Sequence, residues 1–286
     1  MSDGNTQPGD EETAETSGST DFGLIIGIAM GFGSVLTGML LEGSSPMSYV
    51  VVSAFIIVIG GTLGATMASF GLHAVKKIPA SVKRAMLHKS VDRTIAIKTL
   101  VRFAEKARRE GLLVLEDQLN TTNDEFLRKG VQLVVDGTDP ELVRDILQTE
   151  VDSFAAEEAH MAAMWAGMGG YSPTLGIIGT VMGLVMVLGN LSDPMSLGPA
   201  IAVAFVATFY GVSTANLVYL PIGGKIKMCL QDEVSSKELM IEGILAIQAG
   251  DNPRIVEEKL LAYLDDHGRK VYRGDDEQEE EAKLAA

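Results

Sequence analysis

The chain has 286 residues, 47% hydrophobic and 21% charged, with a formal net charge of −15. That balance argues against a nucleic-acid-binding role, which needs clustered Lys and Arg to meet phosphates. The single cysteine, Cys229, leaves no disulfide framework and no thiolate metal site.

Residues 1–21 hold Asp3, Asp10, Glu11, Glu12, Glu15 and Asp21 without a Lys or Arg. Lacking apolar periodicity, they read as a disordered acidic tail, as do residues 268–286 with the run Asp275 to Glu281. The acidic start does not read as a secretory signal, and the apolar run that follows is too long for one. Four stretches without acidic or basic side chains are long enough to cross a bilayer: Phe22–Leu41, about Met47–Val75, about Ala166–Leu191 and Leu197–Ile222. The polar loops Glu42 to Pro46 and Ser192 to Pro194 are short, so the spans pair into hairpins over 22–75 and 166–222. All 23 Lys and Arg lie within 76–144 and 225–283, and neither hairpin loop has one. The positive-inside rule then places both basic regions and both termini in the cytoplasm.

Between the hairpins, residues 76–165 are rich in helix formers and read as a cytoplasmic helical domain. Lys76 to Lys89 sets Ile78, Val82, Met86 and Leu87 among basic residues, an amphipathic pattern suited to lying on anionic lipid. Val91 to Leu119 shows helical apolar spacing, and another helix is expected over Glu125 to Val135. Asp136-Gly137-Thr138-Asp139-Pro140 breaks the pattern, with Asp139 as N-cap and Pro140 opening a helix that runs toward the third span. After the fourth span, residues 223–267 read as a long helix, Lys225 to Ala249, and a short one, Pro253 to His267. No strand is expected; the fold class is all-α, an integral membrane protein with four transmembrane helices and a helical cytoplasmic domain.

Within the spans, Gly23, Gly27 and Gly31, then Gly60 and Gly64, then Gly179 and Gly183, recur at four-residue spacing, which lets helices approach closely. No Asp, Glu, Lys or Arg lies inside any span. An ion path normally needs an ionisable group in the membrane, so a conducting assembly must take its carboxylate from a partner. The third and fourth spans do carry Thr180, Thr208, Tyr210, Ser213, Thr214 and Asn216. Thr180 and Thr208 both fall about 15 Å from the outer ends of their spans, near mid-membrane, where they either line one site or bond their own helix backbone. Pro173 and Pro221 sit at matching depth near the inner ends, as span boundaries or as hinges. In the cytoplasmic region, Arg108, Arg109 and Glu116 bracket an apolar run; on a continuous helix Arg108 and Glu116 form one mixed-charge patch. No catalytic constellation is present: Gly167 to Gly170 lacks a following Lys-Ser/Thr, and His73, His88, His160 and His267 have no metal-ligand spacing. The chain reads as no enzyme.

Several of these stretches resemble the MotA/PomA family of flagellar motor stator subunits, within the MotA/TolQ/ExbB superfamily. Residues 108–116, RREGLLVLE, are similar to the family's cytoplasmic motif, residues 136–141, DGTDPE, to its next loop, and residues 172–227 to its third and fourth spans with their connection. The resemblance takes in about residues 22–265. It implies a multi-pass subunit of the bacterial inner membrane that serves flagellum-dependent motility and chemotaxis. It further implies a homo-oligomer, a ring of five around two copies of a MotB/PomB-like single-span partner, which supplies the ion-binding Asp and a peptidoglycan anchor. By matched position, Thr180 and Thr208 lie on the ion path, Pro173 and Pro221 couple it to conformation, and Arg108, Arg109 and Glu116 meet the switch complex, a FliG-type rotor protein. No cofactor or metal is implied; the translocated ion is H+ or Na+. Ala207, where sodium-type members carry a threonine, leans toward protons, although Thr180 is a residue often linked with sodium. An ExbB/TolQ-type energiser is the alternative, but such relatives have three spans and lack the RREGLLVLE stretch. A solute transporter would need broken helices or repeats around a substrate site, which are absent from the sequence pattern, and a passive scaffold would be indifferent to Thr180 and Thr208.

Overall fold

In a bilayer no water satisfies the backbone, so an apolar run must close its hydrogen bonds within a helix. The computed structural model describes residues 22–87, 93–119, 122, 124–189 and 194–274, and among these there is no strand. The two acidic tails lie mostly outside the described residues, as does most of the expected loop 192–194. Four helices are long and apolar enough to span a membrane. They are α1, Gly23–Leu41; α2, Val52–Lys76; the second part of α7, Pro140–Gly189; and a helical stretch from Leu197 to Gln248. That last stretch comprises α8, Pro194–Thr214, a widened π turn, Ala215–Tyr219, and α9, Leu220–Gln248. The π turn has a local cause: Pro221 offers no N–H to the carbonyl four residues back and its ring crowds it, so the helix widens just before it.

One span boundary differs from the sequence reading. The second span begins at Val52, not near Met47: Pro46–Tyr49 is a single 3-10 turn, and Val50 and Val51 are extended, with ψ of 91° and 109°. Near its inner end α2 kinks at Gly71, whose φ of 81° and ψ of 162° belong to a region open essentially to glycine alone.

The chain divides into two units. One is built from residues 19–90 and 154–232 and holds the spans. Its inner part packs Met161, Met164, Trp165, Met168, Tyr219, Ile222 and Ile226 together with Ala74 and Ala85. Here the basic amphipathic segment appears as α3, Ile78–Met86, and its apolar side, Ile78, Val82 and Met86, packs on this cluster. That corrects the expectation of a lipid-facing helix: protein side chains occupy the face. The Trp165 indole N–H donates to the Ser81 hydroxyl at 3.0 Å, and Arg84 pairs with Glu158 at 2.5 Å while lying over the Phe154 ring.

The other unit, from the described residues within 93–153 and 233–274, contains α4, Arg93–Glu110; α5, Leu115–Leu119; α6, Glu125–Val135; the start of α7; the end of α9; and α10, Pro253–Leu261. Its core gathers Ile97, Leu100, Phe103, Leu115, Leu147 and Leu239, all fully buried, each stabilising the fold by about 1.5–3 kcal/mol. Asp124 caps α6 through the Leu127 N–H at 2.9 Å, and Asp139 accepts from the Glu141 N–H at 2.9 Å at the start of α7, as the DGTDPE spacing implies. α10 stops at Leu261, short of the expected His267, and residues 266–274 form another helix with Tyr272 buried in the core. The acidic C-terminal tail therefore does not begin at 268.

Candidate functional site

Small residues bring α7 and α8 together. A Cβ on Gly176 would stand 2.8 Å from the Ala207 carbonyl oxygen, and one on Gly211 would stand 3.1 Å from the Cα of both Gly176 and Pro173. Farther out, Cβ atoms on Gly179 and Gly183 would meet the Ala207 and Ala204 methyls at 2.6 Å and 2.5 Å. The contact stripe is thus Gly176, Gly179 and Gly183 against Ala204, Ala207 and Gly211, a seam between backbones. The other expected stripes do not all pack within the chain: a Cβ on Gly27, Gly60 or Gly64 would meet nothing within 4 Å.

On this seam the structure brings Thr180 and Thr208 into a direct hydrogen bond between side-chain hydroxyls, both half-buried. The Thr180 hydroxyl also lies 3.0 Å from the Ala204 carbonyl oxygen and 3.2 Å from that of Gly176, and Thr208 lies 3.4 Å from the latter. The hydroxyls meet each other, Thr180 also reaches its own i−4 carbonyl, and Thr208 reaches the Gly176 carbonyl of the facing helix. Four oxygens gather in an apolar layer that holds no carboxylate or cationic side chain of this chain, an arrangement of hard donors suited to a proton-bearing group or a small cation.

About one helix turn from Gly176, beside Pro173, a second hydroxyl pair joins the same helices. Ser172, fully buried, is 2.8 Å from Thr214, whose hydroxyl also lies 2.8 Å from the Tyr210 carbonyl oxygen. Sequence reading passed over Ser172; its place before Pro173 on the glycine side of the helix was the available signal. Pro173 sits inside α7 beside Gly211, and Pro221 is the second residue of α9, directly after the π turn. Each proline removes one helix hydrogen bond.

The residues singled out in the RREGLLVLE stretch lie in the other unit. Arg108 and Arg109 end α4, and Glu116 lies in α5. The continuous helix expected through them is broken: Gly111, at φ 89° and ψ 168°, turns the chain into a 3-10 turn, Leu112–Val114, before α5 starts. The azimuth argument that joined Arg108 to Glu116 therefore fails. The turn buries Leu115 and leaves Arg108, Arg109 and Glu116 exposed, and among the described residues none of the three forms an ion pair.

Residues 118–239 match the MotA/TolQ/ExbB proton channel family. The chain is 41% identical over 245 residues to motility protein A of Borreliella burgdorferi, covering 84% of this chain and 92% of that one. Among solved structures, the C. jejuni MotAB structure superposes with a TM-score of 0.81 at 31% identity, covering 86% of this chain and 96% of that one. The flagellar MotAB stator complex of Bacillus subtilis gives 0.80 at 36%, covering 86% and 97%.

Proposed function

The chain belongs to the MotA/TolQ/ExbB proton channel family, with motility protein A among its relatives, and on that premise we propose how it serves as a stator subunit of the flagellar motor. It lies in the inner membrane with four spans and works with a MotB-like partner to couple ion flow to rotation. Both termini and both basic regions face the cytoplasm, since the hairpin loops carry no Lys or Arg. Five copies surround two single-span partners, each of which brings the Asp that these spans lack.

The observation that carries the reading is the Thr180–Thr208 pair on the α7–α8 seam. When the partner's carboxylate is ionised, the paired hydroxyls and the Gly176 and Ala204 carbonyls offer an oxygen-lined position for the incoming cation. When the carboxylate is neutralised, its attraction for donors on the seam falls, and the ring is free to step. Pro173 and Pro221 give α7 and α9 the missing hydrogen bonds at which such a step is absorbed. Arg108, Arg109 and Glu116, exposed and without ion pairs among the described residues, push on complementary charges of a FliG-type rotor protein.

For the coupling ion we favour the proton. Ala207 is 1% exposed and presents a methyl against Gly179 where a threonine would add a third hydroxyl for sodium. Swimming speed across a sodium series at fixed pH, with and without a protonophore, tests this. Speed indifferent to sodium and abolished by the protonophore is expected. Speed that tracks sodium and survives the protonophore makes the chain a sodium stator and overturns the proton assignment. The energiser reading is not favoured, because the matching relative and the solved neighbours are motility proteins.

A further inference from the structure

The break at the start of the second span lies inside the apolar layer. Ile57 stands level with Thr180: its Cγ2 is 3.7 Å from the Cβ position of Gly179. Val51 is about 9 Å farther out at 1.5 Å per residue, still short of the outer surface of a ~30 Å core. Irregular backbone at such depth persists only where protein or water satisfies it. Here one side chain does so from 159 residues away: the Val51 N–H donates to the Tyr210 hydroxyl at 3.3 Å, and that hydroxyl donates to the Tyr49 carbonyl. The Tyr49 and Phe209 rings pack with centroids 5.4 Å apart, and Tyr49, Val51 and Tyr210 cover the buried cluster Ala54, Val206 and Ala207.

Tyr210 and Thr208 are two residues apart on one helix, so they point about 200° apart around it. Thr208 turns to α7, and Tyr210 turns to the broken entry of α2. We propose that Tyr210 is a positioning residue of the ion step: its hydroxyl clamps the Tyr49–Val51 break onto α8 and holds the α2 wall, Ala54 and Ile57, against the Thr180–Thr208 pair. This rests on the reading of that pair as the ion path. Without the hydroxyl, one donor and one acceptor of the break lose their shared partner, the wall relaxes, and the oxygen cluster binds its cation less well.

The test uses Tyr210→Phe in the full chain, produced with its partner subunit in a motile host lacking its own copy and matched to wild type in membrane level. Swimming speed is measured against external sodium at fixed pH and against external pH at fixed sodium. The half-saturating concentration of the coupling ion is expected to rise about threefold to tenfold, the weight of one buried hydrogen bond, with maximal speed retained. Val51→Pro, which deletes the amide donor and keeps Tyr210, is expected to shift it in the same direction. An unshifted half-saturation point in both variants overturns the clamp, even where membrane level or maximal speed falls. Failure of both variants to reach the membrane makes the contact a folding scaffold and overturns it equally. Thr208→Val, run in parallel, separates the two claims. If it swims as wild type, the ion-path reading fails; if it is crippled while Tyr210→Phe is unshifted, only the clamp fails.

Discussion

Thr180 of α7 and Thr208 of α8 share a hydrogen bond between their hydroxyls, with the Gly176 carbonyl oxygen 3.2 Å and 3.4 Å from the two. Neither residue is within 20 positions of the other in sequence, so the contact is set by the glycine seam that lets the two helices touch. Around the pair the seam is lined by Gly176, Gly179, Gly183, Ala204 and Ala207.

Removing either hydroxyl while keeping the side-chain shape isolates its role. Thr180→Val and Thr208→Val are expected to reach the membrane at normal levels and to weaken ion binding by about tenfold to a hundredfold, the range for a hydrogen bond to a charged group. Thr→Ser at either position keeps the donor and is expected to retain most of the speed. Normal swimming by both valine variants contradicts a role in the ion path.

The seam itself tolerates no side chain. Gly176→Ala would place a methyl 2.8 Å from backbone oxygen and 3.1 Å from the Thr208 Cα, so backbone has to move. A loss of about 2–4 kcal/mol is expected, read as a lower thermal midpoint of the purified complex and a lower membrane level. Gly60→Ala, with nothing within 4 Å in this chain, is the matched control for packing inside the subunit.

At the proposed rotor contact, Arg108→Glu and Glu116→Lys are expected to stop rotation without changing membrane level or ion flux, since both side chains are exposed. Gly111→Ala tests the turn between them: φ of 89° strains any other residue by about 1–3 kcal/mol. It is expected to reduce torque in proportion to the loosening of α5. Unaltered rotation in both charge-reversal variants removes these residues from the rotor contact.

Acid acts on the base of the membrane unit. The Lys77 ammonium hydrogen-bonds Glu157 at 2.5 Å, and this bond, reinforced by the lysine's charge, holds the carboxyl below its usual 4.5. A carboxyl lowered in the folded state stabilises above about pH 4.5 and loses that contribution as pH falls through the folded value. Both side chains are more than a third exposed, so the effect is small. The thermal midpoint of wild type is expected to drop more from about pH 5.5 to about pH 3.5 than that of Glu157→Gln.

The four apolar spans and the Asp139 start of α7 were legible in the sequence, because length, composition and capping chemistry are local signals. The meeting of Thr180 and Thr208 was legible only as equal depth; whether two hydroxyls touch depends on helix rotation, which the glycine and alanine seam decides. The break at Val50–Val51 was hidden inside an apolar run, since hydropathy does not distinguish helical from extended valine, and the rescuing hydroxyl of Tyr210 lies on a distant helix. The turn at Gly111 was masked in the same way by Leu112 and Leu115 keeping helical spacing across it. For α3, the basic residues suggested lipid, but its apolar face joins a cluster of Met161, Met164, Trp165 and Met168 from α7, Tyr219 from the π turn, and Ile222 and Ile226 from α9.

The most direct measurement is rotation of tethered cells after deletion of the gene and its restoration. Intact but motionless flagella on deletion, with rotation returning when the wild-type chain is supplied, is the expected result. Continued rotation at normal torque in the deletion strain, with no other stator subunit present, would contradict the role of this chain as the stator that drives the motor.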